Sequence, residues 1–114
     1  LPMYATRALA WFRRAAAAGH AGGTGALGVF IAAGYGGATA SAHKGAALMA
    51  EAAGRGSQMA CANLGKAFAE GHWGFPKDPA MARRWYLKVA GASIKDAGDH
   101  NTVEVAQWLR DHPA

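Results

Sequence analysis

The sequence predicts an all-α fold in which antiparallel helix pairs stack in an array, and three observations lead to this prediction. The 114-residue chain is 52% hydrophobic, and because much of that fraction is alanine, close-packed helices are favoured over a bulky core. Most of its 16 glycines separate helical stretches instead of forming a flexible low-complexity tract. The chain also aligns with itself at a shift of 37 residues, a period typical of stacked supersecondary units.

The shift of 37 residues is supported by spaced identities in two neighbouring segments. The matching positions are Leu27-Gly28 with Leu64-Gly65, Gly34 with Gly71, Gly37 with Gly74, and Trp11 with Leu48 and Trp85. This phase predicts one domain over residues 1–114, made of the second helix of a partial unit (5–18), two full units (19–55 and 56–92) and a C-terminal capping helix (93–114).

The first predicted helix, 5–18, carries Leu9, Trp11 and Phe12 without a first helix before it. The end units of a helical array normally present a polar outer face, because each unit buries its apolar side only against a neighbour. The sequence therefore predicts either a fragment of a longer array or, where upstream repeats are absent, self-association through helix 5–18.

Each full unit is predicted to contain two helices, because its apolar residues recur at helical spacing. In the second unit one apolar stripe comprises Met59, Ala60, Leu64, Ala67 and Phe68, and the other comprises Met81, Ala82, Trp85, Tyr86 and Val89. Asp78 is a predicted N-cap for the second helix, with Pro79 at the first helical position, where its missing N–H group carries no penalty.

Four glycines are predicted to be structural. Gly71 and Gly74 suit the positive φ angles of a turn between two helices. Gly28 and Gly65 lie inside predicted helices, where glycine costs about 1 kcal/mol in propensity, so they predict a close crossing with a neighbouring helix.

The aromatic residues fall into two groups. Trp11, Trp85 and Tyr86 recur in register, which predicts that they pack one hairpin against the next. Trp73 lies instead in the turn "GHWGF", where it could anchor a partner or fold back onto its own hairpin.

The second unit resembles a Sel-1-like repeat, a relative of the tetratricopeptide repeat, through the pattern Gly56-x3-Ala60-x2-Asn63-Leu64-Gly65-x2-Phe68-x2-Gly71-x2-Gly74-Phe75-x2-Asp78-x3-Ala82-x2-Trp85-Tyr86-x-Lys88-x-Ala90. The first unit departs from this pattern, since Leu48-Met49 replaces the aromatic pair and its turn lacks the acidic cap. The resemblance implies a right-handed α-solenoid whose first helices line a concave face that binds proteins or peptides. It implies a scaffold found in bacterial envelope or signalling settings, and it leaves cytoplasm and periplasm open.

The same resemblance, combined with helical periodicity, places the candidate binding residues. Gln58, Lys66 and Glu70 lie between the apolar positions of a first helix and are predicted to face the partner, together with Thr24 of the preceding unit and Trp73 of the turn. We therefore expect a non-enzymatic module that binds a protein or peptide.

Residues that could carry chemistry do not form a recognisable site. The five histidines include no pair at the i, i+4 spacing that would place two imidazoles on one helical face, so no metal site is predicted. Cys61 lies between alanines on a first helix, where a free cysteine behaves as a small hydrophobe. No catalytic residue and no cofactor is predicted.

The charge distribution supports an alternative function. The formal net charge is +5, and residues 1–50 hold four basic and no acidic residues. Such a field could attract nucleic acid or an anionic membrane. Nucleic acid is disfavoured, because four charges are few beside the roughly 6–10 phosphate contacts of a typical DNA binder. A second alternative, a cell-envelope enzyme resembling cysteine-rich relatives, is weakened by the single cysteine.

Overall fold

The computed structural model describes the backbone of residues 3–93 and 100–113, and the side chains of residues 3–89 and 104–113. Within these ranges the chain forms six α-helices and no strand, which confirms the all-α prediction for the described part. The helices are α1 (Met3–Ala17), α2 (Ala21–Ala33), α3 (Ala42–Gly54), α4 (Gln58–Glu70), α5 (Pro79–Ser93) and α6 (His100–Asp111). Short 3-10 turns at Tyr35–Gly37 and His72–Gly74 connect α2 to α3 and α4 to α5.

The four central helices each begin with a side chain that accepts a hydrogen bond from a backbone N–H three residues later. These caps are His20 for α2, Ser41 for α3, Ser57 for α4 and Asp78 for α5. The predicted cap Asp78 is confirmed, since its Oδ1 accepts from the N–H of Met81 at 3.2 Å. Ser41 supplies the corresponding cap of α3 without a charge, accepting from the N–H of Lys44 at 3.2 Å.

Glycines in the left-handed region end the first helix of each pair. Gly34 (φ 77°) ends α2 and Gly71 (φ 68°) ends α4, and Gly74 has φ 81° within the second turn, so the predicted roles of Gly71 and Gly74 are confirmed. The turns then close with backbone hydrogen bonds: the N–H of Ser41 donates to Ile31 at 2.9 Å, and that of Asp78 to Phe68 at 2.8 Å.

Helices α2 and α3 run antiparallel, because Gly25 near the start of α2 lies against Ala52 near the end of α3. A Cβ built on Gly28 would lie 2.8 Å from the carbonyl oxygen of Gly45 and 2.8 Å from Cγ of Met49. A Cβ on Gly65 of α4 would lie 2.4 Å from the ring of Tyr86 in α5. The close crossings predicted at Gly28 and Gly65 are therefore confirmed.

The described residues form two buried apolar clusters, each of which joins one helix pair to the helix that follows it. The first cluster comprises Ala32, Met49, Leu64, Ala67 and Phe75. The second comprises Cys61, Ala62, Tyr86, Val89 and Val105. Trp85 packs partly buried against both clusters, which confirms its predicted packing role.

Four residues lie elsewhere than the sequence predicts. Met59, assigned to the apolar stripe of α4, is 60% exposed, because the neighbouring helices cover the other side of α4. In α1, Leu9 is buried and the ring of Phe12 packs edge-on against Phe30 at a centroid distance of 5.0 Å, so neither lacks a partner. The packing role predicted for Trp11 is wrong within the described residues, because Trp11 is 66% exposed to solvent.

Candidate partner-binding face

An exposed row of side chains follows one side of α4. Met59, Asn63, Lys66 and Glu70 are separated by steps of four, three and four residues, which places them on one side of a helix with 3.6 residues per turn. Asn63 is half-buried and the other three are exposed. We call this row the α4 face. It combines an apolar side chain, an amide, a cation and an anion on a rigid element, and so can contact a partner.

The structure brings together two of the predicted binding residues and separates two others. Lys66 and Glu70 both belong to the α4 face. Gln58 is exposed at the start of α4, but it lies roughly 100° around the helix axis from them.

The placement of Thr24 requires a correction. Thr24 is only 2% exposed, and its hydroxyl donates to the backbone carbonyl of His20 at 3.0 Å, so it offers no surface to a partner. The equivalent residue of the second unit is Cys61, 37 residues later, and it is also buried. Both residues lie on the sides of their helices that neighbouring helices cover.

A small cleft of about 70 Å³ adjoins the α4 face where α4 approaches α6. Its lining consists of Ala62, Asn63, Lys66, Tyr86, Glu104 and Val105. Burial raises the pKa of the Tyr86 phenol to about 12, with a further contribution from the negative charges of Glu70 and Glu104. Tyr86 therefore stays protonated at neutral pH. The cleft presents an amide, a cation and an anion to a polar ligand group.

The turn after α4 continues the α4 face toward Trp73. The Glu70 carboxylate contacts Nε2 of His72, and the His72 ring lies 5.7 Å from the ring of Trp73. Trp73 is the one non-glycine residue with positive φ (53°) in the described part, at the position where the first turn has Gly36. Left-handed backbone costs an ordinary residue about 1–2 kcal/mol.

The side chain of Trp73 takes the second of the two arrangements considered from the sequence. It is half-buried and packs against the first core cluster, so it folds back onto its hairpin, and part of the indole remains exposed. Beside this turn lies a groove of about 250 Å³. It is lined by Ala42, His43, Ala46, Phe68, Gly74, Phe75 and Pro76.

Two groups of chemistry-bearing residues remain, the single cysteine and the side chains that could bind a metal. Cys61 is buried in the second core cluster, and burial raises the pKa of its thiol despite the opposing charge of Lys88. Its thiol therefore stays protonated at neutral pH. Across residues 3–93 and 100–113, no three His, Cys, Asp or Glu side chains come together in a way that could hold a metal ion.

Sequence reasoning missed Met59 and Asn63 as members of the face. Their signal was present in the sequence, because they share the spacing of Lys66 and Glu70. Met59 was assigned to the core because it is apolar, although periodicity alone does not say which side of a helix is covered.

Comparisons with known proteins identify no relative: no family model matches the chain, and no curated protein or solved structure matches it. Among the described helices, none has both the length and the hydropathy needed to cross a bilayer.

Proposed function

We propose that this protein is a non-enzymatic scaffold that binds a protein or peptide partner along the α4 face. The observation that carries the proposal is the exposed row of Met59, Asn63, Lys66 and Glu70 on a helix whose other side is buried. An exposed methionine beside polar and charged groups can lose its contact with water when a partner binds, while the polar and charged groups fix the orientation of that partner.

The proposed architecture is an α-solenoid of stacked helix pairs, which would make the α4 face part of a concave surface. It is supported by equivalent bonds 37 residues apart: Ser41 to Ile31 in the first pair and Asp78 to Phe68 in the second. The resemblance of residues 56–92 to a Sel-1-like repeat supports the same architecture. Stacked repeats of this kind create extended binding surfaces.

The partner's chemistry follows from the groups on the face. Met59 would contact an apolar side chain, and Lys66 and Glu70 would pair with charges of opposite sign to their own. The cleft between α4 and α6, with the side chains of Asn63 and Glu104, would receive polar groups such as those of a peptide backbone. A segment that presents an apolar residue at one end, followed by a polar group, an acidic residue and a basic residue, matches this order.

The test compares two triple variants that remove the same kinds of side chain. The face variant carries Met59→Ala, Lys66→Ala and Glu70→Ala. The control variant removes one apolar, one basic and one acidic exposed side chain elsewhere, through the substitutions Leu87→Ala, Lys77→Ala and Glu51→Ala. Circular dichroism first verifies that both variants keep the helical content of the wild type.

Partners are captured from the lysate of the source cell by each protein, identified by mass spectrometry, and the purified partner is titrated by calorimetry. We expect the face variant to bind at least about tenfold more weakly, since truncating an interface anchor costs more than about 1 kcal/mol, while the control variant binds as the wild type does. Equal binding by all three proteins would contradict the proposed face. Recovery of nucleic acid alone would contradict the class of function.

A further inference from the structure

The outer side of α1 is the most apolar exposed surface in the described part of the chain. Met3 is 68% exposed, Tyr4 76% and Trp11 66%, and they account for three of the six large hydrophobic residues exposed there. The opposite side of α1 is covered, since Leu9 is buried and Phe12 packs on Phe30. An exposed apolar patch of this kind marks an interaction site.

Two arginines share this surface with the aromatic residues. Arg7 and Arg14 are both exposed on the same side of α1 as Trp11, and the guanidinium of Arg14 lies 5.7 Å from the centre of the Trp11 ring. No aspartate or glutamate occurs in residues 1–50, so no acidic residue of α1 or its neighbour α2 offsets these charges. The surface formed by Met3, Tyr4, Arg7, Trp11 and Arg14 is called the α1 face below.

Helix α5 carries a tryptophan at the position equivalent to Trp11, and the surroundings of the two rings differ. Trp85 lies 74 residues after Trp11, twice the internal shift, and also has a cation near its ring, with Lys88 Nζ at 4.8 Å. Trp85 packs against both core clusters, whereas the corresponding Trp11 is exposed. At the same register, Arg7 of α1 replaces the apolar Met81 of α5, which lies one turn before the tryptophan.

The α1 face thus keeps the aromatic ring with a cation beside it, and has an arginine in place of the methionine one turn earlier. Arginine and tryptophan mixed on one surface suit the headgroup layer of a membrane, where amphipathic rings and cations occupy the same depth. A helix of another protein packed on Trp11 would favour an apolar residue at position 7, as α5 has with Met81. A second copy of this chain, with net charge +5, would meet these arginines with repulsion.

We propose that the α1 face binds the surface of an anionic phospholipid bilayer. The arginines would pair with lipid phosphates, and Trp11 and Tyr4 would insert their rings among the headgroups. This contact is peripheral and lies on a different helix from the α4 face, so it could hold the scaffold at a membrane while a partner is bound.

The test measures co-sedimentation of the protein with vesicles of phosphatidylcholine, with or without about 30% phosphatidylglycerol, at an ionic strength of about 0.15 M. The variant Arg7→Gln with Arg14→Gln is compared with the control Arg84→Gln with Arg110→Gln, which removes the same charge from exposed positions on α5 and α6. Since each basic residue near an anionic surface contributes about fivefold in affinity, we expect a loss of about 25-fold for the α1 variant and little change for the control.

A fluorescence measurement tests whether Trp11 reaches the lipid headgroups. Spin-labelled headgroup lipids are expected to quench tryptophan fluorescence in the wild type, and most of that quenching is expected to disappear in Trp11→Phe, which keeps an aromatic ring at this position.

Four results would overturn the proposal: no preference for phosphatidylglycerol, equal losses in the two arginine variants, tighter binding of a single-stranded oligonucleotide than of vesicles through Arg7 and Arg14, or a stable dimer that Trp11→Ala dissociates.

Discussion

The substitution Gly28→Ala tests the helix crossing that defines the first hairpin. The new Cβ would lie 2.8 Å from the carbonyl oxygen of Gly45 and 3.0 Å from the backbone nitrogen of Met49. Ordinary contacts begin near 3.4 Å, so α2 and α3 would have to separate by about 0.6 Å at this point. Backbone atoms inside a helix cannot rotate aside as a side chain can.

The magnitude follows from two opposing effects. Overpacking of a close-packed interior costs about 1–3 kcal/mol, and replacing glycine by alanine in a helix returns up to about 1 kcal/mol. We therefore expect the free energy of unfolding to fall by about 1–2 kcal/mol. For a domain of about 100 residues this lowers the melting temperature by about 4–10 °C.

The assay is urea and thermal unfolding followed by far-UV circular dichroism, with Gly54→Ala as the matched control. Gly54 is also helical, but a Cβ there would meet nothing within 4 Å, so alanine should be neutral or slightly stabilising. If Gly28→Ala proved as stable as the wild type, the reasoning that contact with the backbone of α3 requires glycine would be refuted.

Three further predictions concern the second hairpin. Gly65→Ala should destabilise the protein by about 1 kcal/mol, because the new Cβ meets the Tyr86 ring. Unfolding curves should show this cost disappearing in the Tyr86→Leu background, where a smaller side chain removes the clash. Asp78→Ala should lower the free energy of unfolding by about 1 kcal/mol through loss of the α5 cap. Asp78→Ser, which gives α5 the kind of serine cap that Ser41 forms on α3, should recover most of that free energy in the same urea titration. Because folding raises the pKa of the Tyr86 phenol from 10.0 to about 12, the resulting stabilisation is present below pH 10 and is lost as the pH rises through 12. Absorbance titration at alkaline pH should show a transition near pH 12 that Tyr86→Phe lacks, and persistence of that transition in the variant would contradict the assignment.

Most of the helical framework could be predicted from the sequence because its signals are local. Asp78 accepts a hydrogen bond from an N–H only three residues away, and Gly71 adopts positive φ to end the helix it follows. The first turn looked less regular because it lacks an acidic cap. Ser41 makes the equivalent bond, since a hydroxyl can accept the same backbone N–H.

The candidate site was predicted only in part, because its membership depends on which side of each helix is covered. Lys66 and Glu70 were placed on the exposed side, but Thr24 is buried and bonded to the carbonyl of His20. Met59 is exposed where its apolar character predicts burial. Contact with α6 also adds Glu104 to the cleft, a pairing of residues far apart in the chain that no local spacing encodes.

By itself, the sequence determined the start of α5 at its cap Asp78 and the turn glycines Gly71 and Gly74, because these depend on backbone conformation and on neighbours a few residues away. It also indicated the close crossings at Gly28 and Gly65, because glycine inside a helix is costly without such a contact. Only the tertiary structure decided that Thr24 faces inward, that Met59 faces outward and that Trp11 remains uncovered while Trp85 is packed. The physical reason is that a helical period defines the sides of a helix, whereas burial of a given side is set by the helices that pack against it.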